Sequence, residues 1–153
     1  MGAPNQAGFT YLAALFLILV MGVVLAAIGQ VWSTAQQREN ERELLFVGDQ
    51  FRKAIGQYYI KSTGAEKKFP TELKDLLKDN RQLATQRYLR KIYVDPMTRS
   101  KEWGLIQPAG SGITGVYSLS QEAPLKSANF TLDDQAFEDS ETYGDWKFVY
   151  TPK

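Results

Sequence analysis

The chain of 153 residues contains neither cysteine nor histidine. Without cysteine there are no disulfides and no thiolate metal sites, and the redox compartment is left open. Without histidine, most transition-metal sites and every Ser-His or Cys-His nucleophile arrangement are excluded, so any catalysis would rest on carboxylates, lysine or tyrosine. An excess of either charge is also missing, because 18 Lys and Arg stand against 17 Asp and Glu, for a net charge of +1. The two signs are interleaved, which leaves no broad field to gather nucleic acid or anionic lipid, and no nucleic-acid partner is expected. The length admits one small core.

What the chain does have is a long apolar run. Residues 9–32 carry no formal charge, and the first charged side chain anywhere is Arg38. A hydrocarbon core of about 30 Å needs roughly 20 helical residues, so the run predicts a transmembrane helix. A secretory signal would have a basic start, an apolar core of about 7 to 15 residues and a small-x-small cleavage site. This run is longer, and Gly29-Gln30-Val31 offers no such exit site. Beyond it, residues 33–59 contain no proline and only two glycines, Gly48 and Gly56. There Leu44, Leu45, Val47, Phe51, Ile55, Tyr58 and Tyr59 recur at spacings of mostly three and four. Arg38, Glu39, Glu41, Arg42, Glu43, Arg52 and Lys53 largely occupy the other faces, so the pattern predicts one helix over about 9–59 with a single covered stripe in its second half.

Gly8-Phe9-Thr10, followed at once by the apolar run, resembles the processing site of type IV pilin-like proteins, especially the pseudopilins of bacterial type II secretion. The resemblance implies a leader over 1–8, cleavage between Gly8 and Phe9 by a prepilin peptidase, methylation of the new Phe9 amine, a retained span over 9–32 and a pilin-like head over 33–153. It also implies a glycine in the middle of the span, matched by Gly22. In the head, Arg90-Lys91-Ile92-Tyr93-Val94-Asp95-Pro96-Met97-Thr98, then Trp103-Gly104-Leu105-Ile106 and Val116-Tyr117-Ser118-Leu119, resemble the Asp-Pro turn and following strands of the major pseudopilin type. Residues 1–8 contain no Lys or Arg, and the fifth residue counted from Phe9 is Ala13 where the family pattern has glutamate. A carboxylate inside a bilayer costs about 2.5 to 3.5 kcal/mol and is kept where function needs it. Its family role is to pair with the N-terminal amine of a neighbouring subunit. Ala13 therefore implies an accessory or minor subunit, or one that assembles with different partners.

The rest of the chain reads as a small antiparallel sheet on the long helix, an α+β, pilin-like architecture. Lys61-Ser62-Thr63-Gly64 ends the helical pattern, and residues 69–77 read as a short amphipathic helix. Strand composition falls at 92–94, 103–106, 113–119 and 146–150, with turns at Asp95-Pro96 and Gly110-Ser111-Gly112. The acidic stretch 132–145 offers oxygen ligands for a hard cation. By the resemblance, a calcium would lie near this part of the fold, with Asp133, Asp134, Glu138, Asp139 and Asp145 as ligands. The spacing matches no EF-hand, and a solvated acidic loop is the alternative. Carboxylate pairs also leave open a membrane-tethered hydrolase. Arg87, Arg90 and Lys91 with Tyr88 and Tyr93, extended by Arg99 and Lys101, form either a DNA-contacting patch or an ordinary solvated edge.

The expectation is a non-enzymatic, pseudopilin-like structural subunit in the bacterial inner membrane, single-pass, with its head in the periplasm. Its partners would be other pilin-like subunits, a secretion or pilus assembly platform and the peptidase. It needs no cofactor apart from the possible calcium. The alternative is a signal-anchored periplasmic binding or scaffold domain that does not polymerise.

Overall fold

The computed structural model describes residues 7–62, 67–81 and 84–152, and at 7–9 and 27–31 the backbone alone is described. The chain divides into two units, Met1–Gln37 and Arg38–Lys153. One helix, α1 (Ala7–Ile60), contributes residues to both.

In the first unit, α1 is rich in Ala and Leu, which lose little side-chain freedom in a helix. Every described side chain over 10–26 is exposed. Here the sequence expectation of a transmembrane helix is corrected: among the described residues, no helix is long and apolar enough to cross a membrane. Past residues 27–31 the helix turns polar, through Ser33, Thr34, Gln36, Gln37 and Arg38. The expectations of a span over 9–32 and of a single-pass inner-membrane location with a periplasmic head are overturned with it. Most of the expected leader, residues 1–6, lies outside the described residues, whereas Gly8 and Phe9 fall in the first turn of α1.

The second unit is α+β. Residues 44–58 of α1 supply Leu44, Val47, Phe51, Ala54, Ile55 and Tyr58, all buried. They meet Leu76, Leu89, Trp103, Ile113, Val116, Phe137, Tyr143, Trp146 and Phe148 in one core. Fully burying each such side chain is worth roughly 1.5 to 3 kcal/mol. The sheet has three short antiparallel strands in the order β1-β2-β3: β1 (Gly104–Ile106), β2 (Gly115–Tyr117) and β3 (Phe148–Val149). Leu105 lies opposite Val116, and Val116 opposite Phe148, so the central strand places Val116 in the core. The two helix glycines let β3 lie close. A Cβ at Gly48 would collide with the Phe148 ring, and one at Gly56 would come within 2.7 Å of the Tyr150 ring.

Two sequence expectations change locally. Residues 92–94 form no strand, because the Tyr93 carbonyl accepts from the Trp103 indole Nε1 at 2.9 Å and the segment turns at Asp95. The expected helix over 69–77 contracts to a 3-10 turn, Leu73–Leu76, closed at its start by the Asp75 carboxylate, which accepts from the Thr71 and Glu72 N–H groups at 3.0 Å each. The expected strands at 103–106, 113–119 and 146–150 contain β1, β2 and β3.

Candidate functional site

With so little regular structure, the head leaves many loop N–H groups outside any ladder, and each buried one needs an acceptor. Of four buried carboxylates, Glu41, Asp79 and Asp95 supply them, and Asp134 binds side-chain donors.

Glu41 sits on α1 at 4% exposure. Its Oε1 accepts from the Leu125 N–H at 2.6 Å, the Lys126 N–H at 3.1 Å and the Tyr143 hydroxyl at 2.9 Å. One atom thereby pins the 125–126 segment and the Tyr143 turn to the helix, and charge-assisted bonds of this kind are about twice as strong as neutral ones. Asp95, fully buried, accepts from the Met97 N–H, the Thr98 hydroxyl and the Ser118 hydroxyl at 2.9, 3.0 and 2.7 Å, locking the Asp95-Pro96 turn to the segment that follows β2. Arg99 adopts φ 57 at the close of that turn, where its N–H donates to the Asp95 carbonyl.

Asp79 and Arg81 close the C-terminal end of α1. Arg81 Nη2 donates to the Tyr58 carbonyl at 3.1 Å, one of the carbonyls a helix end leaves unpaired, and its guanidinium lies 3.5 Å from the Tyr58 ring centre. Nη2 also donates to Asp79 Oδ2 at 2.7 Å, where the Tyr88 hydroxyl joins at 3.0 Å. The hydrogen bonds from Arg81 hold the Asp79 carboxyl down at about 2. Burial pushes the Tyr88 phenol up, aided by its hydrogen bond to Asp79. Asp134 takes Arg52 Nη2 at 2.6 Å and the Thr131 hydroxyl at 2.8 Å, and the Arg52 guanidinium lies over the Phe148 ring.

These contacts decide the candidate residues of the acidic stretch. Asp134 is committed to Arg52. Asp145 accepts from the Thr142 N–H and hydroxyl, at 2.9 Å each, and these bonds lower its pKa. Asp133, Glu138 and Asp139 are exposed. Among the described residues, no group of three or more such side chains is placed to hold a metal ion, so the five proposed calcium ligands do not converge. The stretch instead folds as two 3-10 turns, Leu132–Phe137 and Tyr143–Asp145, whose Phe137 and Tyr143 enter the core. The basic cluster divides in the same way: Arg87, Arg90, Lys91, Arg99 and Lys101 are exposed, but the aromatic partners face inward. Tyr88 bonds Asp79 and packs against Tyr58, and Tyr93 packs against Phe51. No row of bare rings is offered for bases to stack on.

The candidate assembly residues Thr10, Ala13 and Gly22 all lie on α1 and are exposed, and a Cβ at Gly22 would meet nothing within 4 Å. Around them Tyr11, Leu12, Phe16, Leu17, Ile18, Leu19 and Leu25 are all more than 60% exposed, on every side of the helix. On the head, a groove of about 410 Å³ runs beside the Glu41 clasp, lined by Arg38, Glu41, Arg42, Leu45 and residues 125–129. The sequence reading assigned Glu41 and Arg52 to solvated faces. Their burial had no local signal, because the partners they bind are 82 to 102 residues away along the chain. No family model, curated protein or solved structure matches this chain.

Proposed function

We propose that the chain is a non-enzymatic, pilin-like structural subunit of a secretion or pilus-like assembly, processed between Gly8 and Phe9, whose α1 packs among the helices of neighbouring pilin-like subunits. One observation carries the reading: apolar side chains surround α1 over 10–26 and all are exposed, whereas the second half of the same helix is covered by its own head. A helix apolar on all sides is built to be enclosed, and an exposed apolar surface of this extent marks an interaction site. Neighbouring helices would supply the dispersion contacts that the single chain lacks. The small residues Ala13, Ala14 and Gly22 would permit close approach of backbones, and the compact head would set the spacing between subunits. The resemblance at Gly8-Phe9-Thr10 supports the processing step. Mass spectrometry of the mature N-terminus from the native host tests the proposal: a chain beginning at methylated Phe9 is expected, and a chain still carrying Met1 overturns it.

A further inference from the structure

We propose that the groove lined by Arg38, Arg42 and Lys126 receives the acidic turn Glu138-Asp139-Ser140-Glu141 of a second copy of the chain. The inference rests on the assembly reading, since it needs neighbouring copies, and it names a contact between their heads.

The groove's cations are little compensated by carboxylates, and Lys126 lies over the Phe130 ring. Among the described residues, neither Arg38 nor Lys126 has a carboxylate within ion-pair distance, and Arg42 has only Glu39, at 3.3 Å in a pair about two-thirds to three-quarters exposed. An exposed pair of that kind contributes little. Glu41, the one carboxylate lining the groove, is buried and already bound to three donors. Leu45 and Leu125 give the groove an apolar lining. Its two walls, α1 and the 125–126 segment, are tied together by the Glu41 clasp, so it is formed before anything enters it.

The turn mirrors this arrangement. Glu138, Asp139 and Glu141 are exposed, and none has a Lys or Arg within ion-pair distance among the described residues. Buried Phe137 and Tyr143 bracket the turn, and Asp139 takes φ 60 within it, so its charges ride on a fixed support. The Tyr143 hydroxyl binds the same Glu41 oxygen that holds the groove, which makes groove and turn one rigid unit. A chain of net charge +1 thus carries a basic groove whose ion pair among the described residues is the exposed Arg42–Glu39 contact, and an acidic turn with none. Three cations spaced along an apolar-lined groove suit a run of spaced carboxylates, and a two-fold pair would make the contact twice.

The test is sedimentation velocity of the full chain, with α1 dispersed in a non-ionic detergent. Three preparations are compared with wild type: Arg38→Glu with Lys126→Glu, Glu138→Lys with Glu141→Lys, and an equimolar mixture of the two. Arg38, Glu138 and Glu141 are exposed and Lys126 is half-buried with its ammonium over the Phe130 ring, so circular dichroism melts verify folding of each variant. The expected result is association at about 20 mM salt that weakens about tenfold or more at about 0.5 M. Each reversed variant alone should associate about tenfold more weakly, and the mixture should regain wild-type affinity. Association that ignores both salt and charge reversal, or a mixture that fails to recover, overturns the contact. Recovery by an unrelated acidic peptide but not by the complementary variant also overturns it, since the groove would then accept acidic chains generally. A methylated Phe9 with no recovery sinks this contact alone, whereas an intact Met1 with full recovery sinks the assembly reading alone.

Discussion

Two stretches of α1, residues 10–26 and 44–58, both belong to one helix, yet their side chains meet opposite surroundings. Over 10–26 nothing among the described residues covers them, and over 44–58 six of them are buried against the head. The difference lies in the pattern of polar residues. The second stretch alternates apolar and charged positions at helical spacing, so one face is left for a core and the others for water. The first has no polar face to turn outward, so no fold of this chain could cover it on one side and leave the other wet. Helix formation is common to both, and burial differs: the head's own core covers one, and among the described residues nothing covers the other.

The largest effect that would sharpen this contrast is truncation of an aromatic. Phe51 is fully buried against Tyr93 and Trp103, and Phe51→Ala should cost about 3 to 5 kcal/mol of head stability in urea unfolding. Leu17→Ala, on the exposed stretch, should shift the same transition by less than about 0.5 kcal/mol. Equal losses would break the distinction.

Acid comes next. The Asp79 carboxyl lies at about 2 in the folded chain, against about 3.9 when unfolded, so its contribution is fully present above about pH 4 and is lost as pH falls through about 2. That contribution is about 2 kcal/mol, and Asp79→Asn should remove it at neutral pH and flatten this part of the acid limb. The stretch 10–26 holds no carboxyl group, so its helix content, followed by circular dichroism, should not respond in that window.

Glycine substitutions give opposite signs on one helix. Alanine is favoured over glycine inside a helix by about 1 kcal/mol, so Gly22→Ala, with open space around it, should stabilise α1 by up to that amount. At Gly48 the same methyl strikes the Phe148 ring, and overpacking of about 1 to 3 kcal/mol should outweigh the gain, for a net loss of about 1 kcal/mol. Thermal unfolding of the two variants reads both signs. The smallest effect is expected for Glu39→Gln, which breaks the exposed pair with Arg42 and should change head stability by less than about 0.5 kcal/mol.

Periodicity made the buried stripe of α1 legible, because Leu44, Val47, Phe51, Ile55 and Tyr58 must share a face on any helix. Composition located β1, β2 and β3, though not their length. The same reasoning failed at residues 92–94, where β-branched and aromatic content suited a strand but the Tyr93 carbonyl is taken by a side chain from Trp103. It failed too for charge. Glu41 and Asp134 look in sequence like any solvated carboxylate, and their burial depends on donors brought from distant segments. The apolar run was also overread as a span, since hydropathy alone does not say what covers a helix.

By itself the sequence determined that one long helix runs over about 9–59, that one stripe of its second half is covered, and that no cysteine or imidazole chemistry is possible. Those are local properties, set by spacing and by which atoms are present. The tertiary structure alone decided which carboxylates become interior clasps, that the acidic stretch folds into two core-anchored turns, and that a basic groove forms beside the Glu41 clasp. Each of these depends on the meeting of residues far apart along the chain, and the free energy of a buried charge is fixed by the donors that reach it.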